Sequence, residues 1–161
     1  MKRTKLILPI IIIFLIGRST GLNAQQDPPP IGYDTLVTID PETYNETISI
    51  VTKSAAECYA FSWGEDNQYA YQEFPYDLTR EQLEQNKMST LKFVPLGSCI
   101  DIKSEKYTLV VVNQGKDPIG IERGPNAVND ILTKVSIGSL VIVHDIEING
   151  HLMDDIRFLI K

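Results

Sequence analysis

Leu140-Val-Ile-Val-His-Asp-Ile-Glu-Ile148, then Asn149-Gly150, then Asp155-Ile-Arg-Phe-Leu-Ile160 is the stretch that decides the fold. The first run is rich in β-branched and aliphatic residues and reads as a strand. Asn-Gly is the preferred dipeptide of a two-residue type I′ turn, because both central positions need positive φ. In the last run Ile156, Phe158 and Ile160 alternate with Arg157 and Leu159, which places them on one face of a returning strand. The chain therefore closes on a β-hairpin.

Working back from it, Val128, Ile131, Leu132 and Val135 recur at the spacing of one helix face. Gly124-Pro125-Asn126 prepares the start of that helix and Gly138 stops it. Before it, Tyr107 to Val112 is almost continuously apolar, the pattern of a central strand covered on both faces. Gly115 to Pro118 breaks that strand. Thr79 followed by Gln82 has capping-box spacing, so Arg80 to Lys87 is expected to form a short helix. Leu91–Val94 and Ile100–Ile102 read as short strands around the turn-like Pro95–Ser98.

In the N-terminal half, Thr35 to Ile39 ends at the turn signal Asp40-Pro41, and Ile48 and Ile50 alternate with Thr47 and Ser49. These are two consecutive strands with the signature of a hairpin. Cys58 to Trp63 reads as a third strand, with Trp63 in the core. Residues 64–78 are polar, lack a period and carry Tyr69, Tyr71, Phe74 and Tyr76, so they read as a long loop or an irregular edge.

The first residues have the order of a secretory signal: Lys2, Arg3 and Lys5, an apolar run from Leu6 to Ile16, then small and polar residues to Ala24. The run is shorter than the ~20 residues that span a bilayer, and Arg18 follows it closely. Residues 1–24 are expected to be a cleaved signal and 25–32, with Pro28, Pro29 and Pro30, a stiff spacer. A single β-rich domain, 33–161, follows. The expected class is mainly β, an Ig-like or related antiparallel sandwich with one or two short helices and the C-terminal hairpin.

Loss of the signal would remove four basic residues, leaving 11 bases against 21 acids and a net charge of −10. That balance repels nucleic acid and anionic lipid, and the remaining Lys and Arg are dispersed. Cys58 and Cys99 both lie in the exported part, where one disulfide is permitted; the alternative is two buried thiols on separate strands.

The runs Lys106-Tyr-Thr-Leu-Val-Val-Val, Gly124-Pro-Asn-Ala-Val-Asn-Asp-Ile-Leu, Ile137-Gly-Ser-Leu-Val-Ile-Val-His-Asp-Ile and Ile156-Arg-Phe-Leu-Ile-Lys resemble the last domain of the GldM/PorM gliding-motility and type IX secretion proteins. The likeness covers residues 105–161 and rests on a helix, Gly138, the Asp145-Ile146 pair and an alternating terminal strand. It implies a free-standing relative of a terminal domain that contacts an envelope protein.

No catalytic constellation stands out. Of the two histidines, His144 in an unbroken strand would share a face with Ile146 and Ile148, away from Asp145 and Glu147, and His151 sits at the turn, so no metal site is expected. No nucleophile motif, phosphate loop or cofactor fingerprint is present. The expectation is an exported, non-enzymatic domain that binds a protein and does not stay in the membrane. Its alternative is a ligand-binding or enzyme-inhibitory domain in which Tyr69, Tyr71, Phe74 and Tyr76 supply contact area for a glycan or an enzyme.

Overall fold

The computed structural model describes residues 27–64 and 66–161. The expected signal at 1–24 lies outside the described residues. Among the described residues the chain is mainly β, with three sheets and three short helices. β1 (Tyr33–Ile39) and β2 (Glu46–Thr52) pair only with each other. α1 (Ala55–Cys58) leads into β3 (Tyr59–Ser62), which lies between β4 (Gln68–Tyr69) and β6 (Lys92–Pro95) in a three-stranded sheet. The large sheet has the order β5 (Tyr76–Leu78), β11 (Ile156–Ile160), β9 (Leu140–Ile148), β7 (Glu105–Val112) and β8 (Ile119–Ile121), with β10 (His151–Met153) also on β9. α2 (Arg80–Gln85) and α3 (Ala127–Lys134) complete the element order.

The small sheet packs on the large one as a sandwich, and the contact is aromatic. Phe61 on β3 meets Tyr107 and Phe158 of the large sheet at centroid distances of 5.6 and 6.2 Å, and its β6 neighbour Phe93 meets Tyr107 at 5.5 Å. Trp63 meets Phe158 edge-on at 5.2 Å. Edge-to-face geometry aligns the positive ring edge with a negative ring face and adds to the apolar burial. Trp63 is in the core as expected, and its indole nitrogen is the buried side-chain polar atom without a partner among the described residues. α3 buries Val128, Ile131 and Leu132 of the stripe its spacing predicts, together with Ala127, and Val135 is buried as its C-cap. α2 has the expected box: Thr79 N–H donates to Gln82 Oε1 (2.8 Å) and Gln82 N–H to Thr79 Oγ1 (3.2 Å).

The final hairpin is present. Asn149 and Gly150 both have positive φ, 52° and 85°, and β10 and β11 continue one antiparallel register on β9, from His151↔Ile148 to Leu159↔Leu140. Asn149 does more than turn the chain. Its Oδ1 accepts from the N–H groups of Lys103 and Ser104 (2.8 and 3.2 Å), and its Nδ2 donates to Tyr59 Oη and the Asp101 carbonyl (3.0 and 3.1 Å).

Four expectations are corrected. Ile100–Ile102 is not a strand; Asn149 takes up neighbouring backbone groups there. α1 makes a third helix, where a strand was expected to begin at Cys58, and Glu57 Oε2 accepts from both Ser54 N–H and Ser54 Oγ–H at its start. Ile31 and Gly32, placed in the spacer by composition, belong to the body: Ile31 is fully buried and its carbonyl accepts from Ile100 N–H at 2.9 Å. β7 is central in pairing but covered on one face only, since Tyr107, Leu109 and Val111 are buried whereas Lys106 and Thr108 are exposed and Val110 and Val112 half-buried.

Candidate interaction surfaces

The β1–β2 hairpin is an arm that stands away from the sandwich. Every residue of both strands is exposed. Its register, Tyr33↔Thr52 through Ile39↔Glu46, puts Tyr33, Thr35, Val37 and Ile39 on one face with Glu46, Ile48, Ile50 and Thr52. Asp34, Leu36, Thr38, Thr47, Ser49 and Val51 occupy the other. Ile48 is 68% and Ile50 74% exposed, so the apolar face has no partner within the chain. The sequence expectation of a hairpin is met, but the arm lies outside the sandwich rather than in its core.

The tip is closed by Asp40, whose Oδ1 accepts from Glu42 N–H (2.8 Å) and Thr43 N–H (3.1 Å), while its carbonyl accepts from Tyr44 N–H (2.8 Å). Those N–H donors hold the Asp40 carboxyl below the usual carboxylate range. At the root, Lys53 N–H donates to the Gly32 carbonyl at 2.9 Å. Directly beneath lies the Cys58–Cys99 disulfide, which resolves the choice that the sequence left open. A Cβ on Gly32 would stand 2.8 Å from both sulfurs, so only glycine lets the arm's root rest on the bridge.

The tyrosine-rich segment divides in two. Tyr69 and Tyr76 pin it to the sheet: Tyr69 meets Phe158 at 5.0 Å, Tyr76 stacks on Phe158 at 5.8 Å, and Tyr76 Oη–H donates to the Ala70 carbonyl at 2.6 Å. Burial raises the pKa of both phenols. Tyr71 and Phe74 face outward, Phe74 by 74%. The segment is also more regular than a loop, because its ends form β4 and β5.

Tyr71 borders an open groove of about 590 Å³ with His144, Asp145, Leu152, Asp155 and Arg157. The arrangement there differs from the expectation for an unbroken strand. Asp145 has φ of 51° and the β7–β9 register slips between Lys106 and Thr108, so β9 carries a bulge. His144 is thereby on the face opposite Ile146 and Ile148, exposed, with Nδ1 2.7 Å from Asp155 Oδ1 and Nε2 3.2 Å from Asp145 Oδ1. The hydrogen bond to Asp155, its charge and that of Asp145 raise the imidazole pKa above 6.5. Both ring nitrogens are engaged by carboxylates, which makes the group a link between the bulge and the returning strand rather than a free base or ligand. No cluster of three or more metal-ligating side chains and no helix long and apolar enough to cross a membrane occurs among the described residues.

A direct signal for the bulge is absent from the sequence, but the arm left one: the Ile48/Ile50 alternation marks an apolar face without saying what covers it. Comparison with family models, with curated proteins and with solved structures gives no match for this chain.

Proposed function

We propose that this chain is an exported, non-catalytic protein-interaction domain whose binding element is the β1–β2 arm, and that it is a free-standing relative of the terminal domain of the gliding and type IX secretion envelope proteins. The observation that carries the reading is the unpartnered apolar face of Tyr33, Val37, Ile39, Ile48 and Ile50. A lone two-stranded hairpin is marginally stable in water, and apolar side chains gathered on one exposed face mark contact sites. Neither strand carries the Lys or Pro with which monomers blunt a free edge. The disulfide suits an oxidising compartment. The likeness to the envelope family rests on the sequence runs of residues 105–161. The half-buried Tyr69 and Tyr76 weigh against a glycan platform built from all four aromatic residues.

The test is photo-crosslinking in intact cells from a probe placed at Ile48 or at exposed Met88. The expected result is a specific envelope-protein adduct, or an adduct to another copy of this chain, from Ile48 and none from Met88. Equal labelling from both positions would contradict the arm as binding element.

A further inference from the structure

The backbone of the arm has a phase that both of its ends report. Lys53 N–H donates to the Gly32 carbonyl at 2.9 Å at the root, and Asp40 N–H donates to the Asn45 carbonyl at 3.0 Å at the tip. Each pair extends the Tyr33↔Thr52 to Ile39↔Glu46 register by one step, and in an antiparallel ladder such hydrogen-bonded pairs alternate with pairs whose polar groups point outward. The inward pairs are therefore Asp34/Val51, Leu36/Ser49 and Thr38/Thr47. Ser49 Oγ–H, which donates to the Leu36 carbonyl at 3.4 Å, agrees with that phase. The outward groups of β2 belong to Glu46, Ile48, Ile50 and Thr52, whose side chains share the apolar face. We propose that β2 is a docking edge for an extended segment of a basic partner protein, which adds to the arm as a third strand; the inference rests on the arm being the binding element.

Three observations fix the edge and its occupant. First, β1 and β2 pair only with each other, so each keeps one ladder edge open, and an open row of N–H and C=O groups is a template for another strand. Second, the two edges differ. On β1 the outward Thr35 N–H donates to Asp34 Oδ1 at 2.8 Å, whereas no side chain among the described residues takes an outward N–H of β2. Third, residues 33–52 hold Asp34, Asp40, Glu42 and Glu46 and no base. Asp34 lies 3.8 Å from Lys53, while Asp40, Glu42 and Glu46 form no ion pair among the described residues. The tip of the arm and the first residue of β2 thus carry uncompensated negative charge, which repels nucleic acid and anionic lipid. Opposite charges set across two strands attract and like charges repel. The complementary segment therefore carries Lys or Arg facing Glu46 and apolar side chains facing Ile48 and Ile50.

The decisive experiment is amide hydrogen exchange on the disulfide-bonded protein, with a short peptide that alternates Val with Thr and carries Lys at both ends. The same peptide with Glu at both ends is the control. The expected result is binding of the Lys peptide only, with slowed exchange at the Ile48 and Ile50 N–H groups and no change at Val37 N–H. Ile50→Pro should abolish the binding while the Ser49 and Val51 amides stay protected, because proline there removes an outward donor and leaves the inward pairs in place. Thr35→Pro, on the other edge, should leave the binding intact. Equal binding of the Glu peptide, binding without slowed exchange at β2, binding retained by Ile50→Pro, or no binding would overturn the proposal. Ile48 and Ile50 amides already protected in a self-associated protein would overturn it too, by giving the edge to a second copy. If strand addition fails but an Ile48 probe still captures an envelope protein in cells, the arm remains the binding element. If that probe also captures nothing, both readings fall.

Discussion

The sandwich and the arm are both antiparallel β-structure with alternating apolar residues, yet one buries its apolar face and the other presents it to solvent. Phe158 is fully buried and touches the rings of Phe61, Trp63, Tyr69 and Tyr76. Ile50 has the same alternation around it and is 74% exposed. Local periodicity thus determines which side of a strand is apolar, and the chain's topology determines whether anything covers that side. In the body the covering is supplied by a second sheet; on the arm nothing among the described residues supplies it.

The contrast implies that substitutions of similar size have very different costs in the two regions. Phe158→Ala should destabilise the body by about 3–5 kcal/mol, the range for buried aromatic truncation. Ile50→Ala on the arm should change stability by no more than about 0.5 kcal/mol. Parallel denaturant titrations of the two variants check this, and similar losses in both would show that the arm is part of the core.

Next in size is the disulfide. It closes a loop between positions 41 residues apart, for which the chain-entropy model gives about 4 kcal/mol. Because Gly32 rests on both sulfurs, reduction should also loosen the arm's root. Hydrogen exchange before and after reduction should show faster exchange at Lys53 N–H as well as a lower melting temperature. A lower melting temperature with unchanged protection at Lys53 would separate the bridge from the arm.

Gly150 has φ of 85°, and a Cβ there would stand 3.3 Å from Pro28 Cβ. Gly150→Val should therefore cost roughly 1–2 kcal/mol from left-handed strain and disturb the hairpin register, whereas Lys116→Ala, at an exposed position, should cost nothing measurable. Equal melting temperatures for the two would argue against the turn as described.

The smallest effect concerns His144. Its folded-state pKa is raised, so the stabilisation from its carboxylate partners is fully present below about pH 6.5, the ordinary imidazole value, and is lost as pH rises through the folded pKa. An NMR titration of the His144 ring should give a midpoint above 6.5, and Asp155→Asn should lower it. A midpoint at or below 6.5 would mean the carboxylates do not hold the ring in solution.

Much of the body was legible because its signals are local. Asn149-Gly150, the Thr79/Gln82 box and the Val128–Val135 stripe each name their element through backbone or side-chain geometry. The bulge at Asp145 was not legible, since nothing beside an aspartate announces positive φ, and missing it reversed the predicted face of His144. α1 was too short to show a period, although Ser54-x-x-Glu57 has the capping-box spacing that could have located it. β5 could not be placed, because its parallel pairing with β11 joins residues about 80 positions apart. The candidate site was half legible: the arm's strands were read and its exposure was not. The tyrosine-rich segment, chosen for composition, contributes its two inner rings to the core.

Removing the arm tests the account most directly. Tyr33 and Thr52 are paired across the root, so a two-residue turn in place of 34–51 reconnects the chain without strain. Thermal unfolding and capture from an envelope extract should then show a body that melts cooperatively within a few degrees of the intact protein and has lost partner binding. An unfolded body, or association that persists without the arm, would contradict the division of the molecule into a self-sufficient sandwich and a projecting element made to be covered.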